Sequence, residues 1–174
     1  MERKPELRLP TTAVPVTLQL VAAPREWLKV RSLMAELFVA EAARAGHSQL
    51  LDDVAALLDE NATFIPVRIE GLVQLYSKAA ILYVSVARTE EPDEDAEFAD
   101  GPSEVITLYD RQHHVKVELI GEGAIVGTLF DSSPADRPRV MDHLNRSGRF
   151  LRLWTASRHY LINKDQIIRV SEQE

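Results

Sequence analysis

The sequence predicts an α+β fold, mainly β, built from two tandem degenerate repeats of β-β-α-β-β-β pattern. Three observations carry this reading: a gapless self-similarity at an offset of 86 residues, a switch from helical to alternating apolar period at corresponding places in both copies, and an acidic, apolar-poor tract between them. Each repeat is expected to be a small rolled sheet or barrel-like unit with one helix, because about five short strands cannot bury both faces while flat. The two units are expected to pack with pseudo-twofold symmetry.

Setting Phe64 on Phe150 aligns residues 54–84 with 140–170. Seven pairs are then identical: Val54/Val140, Leu58/Leu144, Phe64/Phe150, Leu75/Leu161, Lys78/Lys164, Ile81/Ile167 and Val84/Val170. The apolar pairs Ile65/Leu151, Val67/Leu153 and Leu82/Ile168 keep the same phase.

In the first repeat, residues 1–88, the alternation of VTLQLV at 16–21 reads as a strand. WLKVRSLM reads as a strand leading into a helical insertion, since Trp27, Val30, Met34, Leu37 and Glu41 within residues 27–45 also fall in helical phase. Leu51, Val54, Ala55 and Leu58 form one apolar stripe, which places a helix at about 49–59 with a cap near Ser48. Strands follow at FIPVRI, VQLYS and AILYVSV.

Residues 89–103 hold seven acids and no base, equal to the whole net charge of −7, and a single large apolar residue, Phe98. Such a composition does not offset the entropy of ordering, so this tract is expected to be a linker or exposed loop.

The second repeat, residues 104–174, opens with EVITLY and HVKVELI, then turns through Gly121-Glu122-Gly123 into AIVGTLF as a hairpin. Val140, Met141 and Leu144 place a helix at about 137–146, with Pro138 in its first turn and Gly148 at its stop. RFLRLW, HYLINK and QIIRVS complete the set. The paired Lys78 and Lys164 read as turn lysines that discourage edge pairing. Strand number and size resemble those of the Sm-like and PilZ-type small barrels, a likeness that implies no function.

With 45% hydrophobic residues the chain can bury a real core, and with no cysteine it has no disulfide, thiol or thiolate chemistry. The charged, proline-bearing start MERKPELRLP lacks the apolar stretch of a secretion signal, and the apolar run at 79–87 is too short for a membrane span. A cytoplasmic location without membrane association is expected.

No catalytic residue, metal ligand set or cofactor motif is identified. The sequence lacks G-x-S-x-G and H-E-x-x-H, and adjacent His113 and His114 would point to opposite faces of a strand. Gly121, Gly123 and Gly127 miss the spacing of a phosphate loop and lead into a strand rather than a helix. Asn145-Arg146-Ser147-Gly148 is similar to the first half of the D/N-x-S-x-x-G element of PilZ domains, with the glycine two places early. Arg137, Arg139 and Arg146 do not form that family's R-x-x-x-R arm.

The remaining feature is residues 137–164, where six arginines and Lys164 accompany one acid, Asp142, and Phe150, Trp154 and Tyr160 interleave with them. Arg146, Arg149, Arg152, Trp154 and Arg158 are the candidate anion or nucleic-acid binding residues, able in principle to stack bases and contact phosphates. The leading expectation is a non-enzymatic interaction or regulatory protein that meets a protein partner or its own kind. Nucleic-acid or nucleotide binding through 137–164 is the alternative, and an enzyme with a site between the repeats is the third.

Overall fold

The computed structural model describes residues 11–21, 30–40, 47–88, 111–121, 123–131, 140–146 and 148–173, and these are mainly β. In the N-terminal half the elements are β1 (Thr11–Val21), β2 (Val30–Ala40), α1 (His47–Asp59), β3 (Phe64–Ile69), β4 (Leu72–Ser77) and β5 (Ile81–Ala87). The C-terminal half has β6 (Arg111–Leu119), β7 (Ala124–Asp131), α2 (Val140–Leu144), β8 (Phe150–Trp154), β9 (Arg158–Asn163) and β10 (Ile167–Glu172). A 3-10 turn precedes β5 at Lys78–Ala80, and another precedes β10 at Lys164–Gln166.

The ten strands form one open antiparallel sheet in the order β10-β6-β7-β8-β9-β5-β1-β2-β3-β4. Within each half the order is fifth, first, second, third, fourth. The halves meet where β9 pairs with β5, in a ladder from Tyr83↔Ile162 to Ala87↔Arg158. Two separately packed units with a pseudo-twofold were expected. The strands instead share one sheet, and the joint unites the fourth strand of one half with the fifth of the other, whereas a twofold would pair like with like.

Period-two burial explains the long strands. Val14, Val16, Leu18 and Leu20 of β1 are buried, as are Ala35, Leu37 and Val39 of β2. The helical continuation expected after the strand at 27–34 is absent from residues 35–40, which remain in β2. Leu37 fits both periods, but Ala35 and Val39 share its face only in a strand, and an eleven-pair ladder from Thr11↔Ala40 to Val21↔Val30 favours the extended form. EVITLY, the Pro138 helix start and the acidic tract 89–103, with the domain boundaries it marks, lie outside the described residues.

Helix α1 buries the expected stripe of Leu51, Val54, Ala55 and Leu58. Between β3 and β4, Glu70 (φ 50°) and Gly71 (φ 80°) make a two-residue turn closed by Ile69↔Leu72, the geometry that matches strand twist in a tight hairpin. Gly127 lies in β7 rather than in a phosphate loop. A Cβ there would come within 2.6 Å of the Trp154 carbonyl oxygen, so glycine is what lets β8 approach β7.

Two apolar clusters form, one for each half. The first gathers β1, β2, α1, β3 and part of β5; the second gathers Val115, Val117, Leu119, Leu129, Leu151 and Leu153 with Val140. The joint strands serve both. Val84 and Leu161 enter the first cluster, and Leu82 and Ile162 enter the second. Among the described residues no helix is long and apolar enough to cross a membrane.

Candidate functional site

Strand alternation in β8 puts Phe150, Arg152 and Trp154 on one face and Leu151 and Leu153 on the other. The first face lies against α1. Phe150 joins the first apolar cluster, Trp154 packs on it, and Arg152 forms an ion pair with Asp52 of α1. Trp154 also meets Phe130 edge-on at 5.6 Å and His159 at 4.0 Å between ring centroids.

The other basic residues of the segment do not converge with Arg152. Arg149 pairs with Asp165 at 2.9 Å, while its backbone N–H donates to Asp59 Oδ1 at 2.8 Å. Arg158 donates to Ser85 Oγ at 3.0 Å and to Thr17 Oγ1 at 2.7 Å, tying β9 to β5 and β1. Arg146 is exposed just beyond α2, and its carbonyl accepts from Lys164 Nζ at 3.0 Å. Thus Arg149, Arg152 and Arg158 each bond to protein groups, and only Arg152 shares a strand face with Trp154.

Lys78 and Lys164 are not turn lysines fending off edges. Lys78 is buried, and its Nζ donates to the carbonyls of Leu57 and Glu60 at 2.9 and 2.8 Å, closing the C-terminus of α1. Lys164 does the same beyond α2 through Arg146. Helix ends leave carbonyls without partners, and an ammonium group there also suits the helix dipole. Burial pushes both amines below the usual lysine range, opposed by the Asp59 carboxylate in each case and by Glu60 at Lys78.

His113 and His114 face different partners, Glu172 at 3.6 Å and Thr128 Oγ1 at 3.1 Å. Among the described residues no group of three or more potential ligands is placed to hold a metal ion.

The joint between the halves is polar as well as apolar. Asn163, fully buried, donates from Nδ2 to the carbonyls of Lys78 and Ile81 at 3.2 and 2.9 Å. Asp59 Oδ1 accepts from the amides of Arg149 and Phe150, so the end of α1 holds the start of β8. Comparison with protein-family models, curated proteins and solved structures finds no match.

The sequence predicts strands at VQLYS and QIIRVS, now β4 and β10, but not that they lie at the two edges of the sheet. Among the described residues β4 pairs only with β3, and β10 only with β6. Leu72, Val73 and Leu75 of β4 are exposed, with Phe64 beside them on β3; Ile168 is exposed on β10. A central strand and an edge strand share the same apolar pattern, but LVQL carries apolar side chains on both faces without a charge to blunt it, and that was the available signal.

Proposed function

We propose that this chain is a non-enzymatic, cytosolic interaction protein, composed of two degenerate β-β-α-β-β-β repeats, that works through protein–protein contacts made by the edges of its sheet. The shared strand order of the halves and the 86-residue offset between β3, β4 and their counterparts β8 and β9 support the repeat. The observation that carries the interaction reading is β4, an edge strand that among the described residues pairs on one side only and has three exposed apolar side chains, Leu72, Val73 and Leu75. Soluble proteins usually protect such an edge with charge, proline, a bulge or a covering element. An unprotected apolar edge is a template for strand addition.

Nucleic-acid binding through residues 137–164 draws less support. Arg149, Arg152 and Arg158 already bond to Asp165, Asp52 and the Ser85 and Thr17 hydroxyls, and a phosphate would have to displace these partners. The test is affinity capture with the wild-type chain and with Leu75→Lys. The wild type is expected to be recovered in an assembly larger than one chain, with Leu75→Lys losing it. A lone monomer that retains no protein, or an oligonucleotide mobility shift that weakens steeply with salt, overturns this reading.

A further inference from the structure

We infer that the chain assembles head to tail with further copies of itself, the free β4 edge of one chain continuing the sheet from the free β10 edge of the next. The inference rests on the interaction reading above and names its partner as a second copy.

The template is the joint inside the chain. There β9 adds to β5 with Tyr83↔Ile162, Val84↔Leu161, Ser85↔Tyr160, Val86↔His159 and Ala87↔Arg158. At the 86-residue offset the counterpart of β9 is β4 and that of β5 is β10. Among the described residues these are the two strands left unpaired on one side. The same ladder between chains therefore has a defined register: Arg169 opposite Tyr76, Val170 opposite Leu75, Ser171 opposite Gln74 and Glu172 opposite Val73.

Exposure follows the same equivalence. Leu161 at the internal joint is 0% exposed, whereas its counterpart Leu75 is 71% exposed. Leu82 is 0% exposed and its counterpart Ile168 is 65% exposed. Phe150, beneath α1, is 6% exposed, whereas Phe64 at the outer end is 56% exposed. Ala55 of α1 is buried, and Met141 at the same place in α2 is exposed. Residues buried by the internal joint thus have apolar counterparts standing open at the outer ends, and a second chain docked in the same way covers Phe64, Leu75, Met141 and Ile168 together. Met34 and Val126, also exposed, lie away from this surface on β2 and β7.

The polar contacts are only partly repeated. Asn145 stands where Asp59 does and has an acceptor oxygen for the next chain, but Ser77 replaces Asn163 and Leu72 replaces Arg158. The joint between chains therefore relies on the backbone ladder and apolar contact, and it is weaker than the internal one. Unlike surfaces meet, so assembly is directional and either closes into a ring or extends.

Light scattering on size-exclusion fractions tests this with two variants at exposed positions, Leu75→Lys on the β4 edge and Ile168→Lys on the β10 edge. The wild type is expected to exceed the mass of one chain, reversibly and with concentration. Each variant alone is expected to run as a single chain. Mixed, they are expected to form a 1:1 pair, because each keeps the edge the other has lost; that pairing also shows both to be folded. Val73→Asp, which sets a carboxylate opposite Glu172 of the next chain, is expected to behave as Leu75→Lys.

The inference is overturned if the wild type stays a single chain at its highest soluble concentration. It is also overturned if Ile168→Lys self-associates alone, as symmetric β4·β4 pairing requires, or if the mixture does not pair although both variants keep the wild-type circular dichroism. A single-chain wild type that still captures a different protein overturns this inference and leaves the interaction reading standing, whereas an inert single chain overturns both.

Discussion

Lys78 brings an ammonium group into a site almost closed to water, and the carbonyls of Leu57 and Glu60 compensate for the hydration it gives up. Replacing it with methionine keeps most of the volume and leaves those two acceptors without their donor. Lys78→Met is expected to lower unfolding free energy by about 2 kcal/mol, the scale of hydrogen bonds to a charged group, as measured by urea denaturation. Lys164→Met, at a half-buried site with one such bond, is expected to cost less; equal losses would contradict the burial difference. The identity of the two lysines was legible in the sequence, but their role was not. Each one reaches back about twenty residues to the end of the preceding helix, and a contact at that distance leaves no mark on local periodicity.

At the scale of elements, β3 through β5 and β8 through β10 were read nearly to the residue, because short alternating runs between turn residues have no competing helical reading. The segment that became β2 differed. Met34 and Leu37 share a helical phase, whereas Ala35, Leu37 and Val39 share the strand face, and pairing with β1 favours the second, leaving Met34 exposed. Gly127 was placed in the AIVGTLF strand, but why that strand carries glycine there was not legible until β8 crossed it. Gly127→Ala places a methyl 2.6 Å from the Trp154 carbonyl oxygen, which is backbone and cannot rotate aside. The variant is expected to lose about 1–3 kcal/mol, as overpacking does, and to change the Trp154 near-ultraviolet circular dichroism. Unchanged stability would mean that β7 and β8 are less closely apposed than this.

For the whole molecule, the sequence points to two similar halves but not to how they meet. Alternation reports which face a residue occupies; it is silent on which strand lies alongside, so β9 beside β5 could not be read from either segment. The candidate basic residues were legible by type, yet the carboxylates and hydroxyls that bind Arg149, Arg152 and Arg158 come from distant positions and were not. The central claim is that the internal joint is repeated between chains, and the cysteine-free sequence makes a direct chemical test clean. Val84 opposes Leu161 within the chain, so Val170 opposes Leu75 between chains, and directly opposed antiparallel residues lie within disulfide reach. Chains carrying Leu75→Cys and chains carrying Val170→Cys are mixed under mild oxidation and run on a non-reducing gel. A covalent 1:1 heterodimer is the predicted result; no cross-link, or a Leu75→Cys homodimer formed as readily, would contradict it.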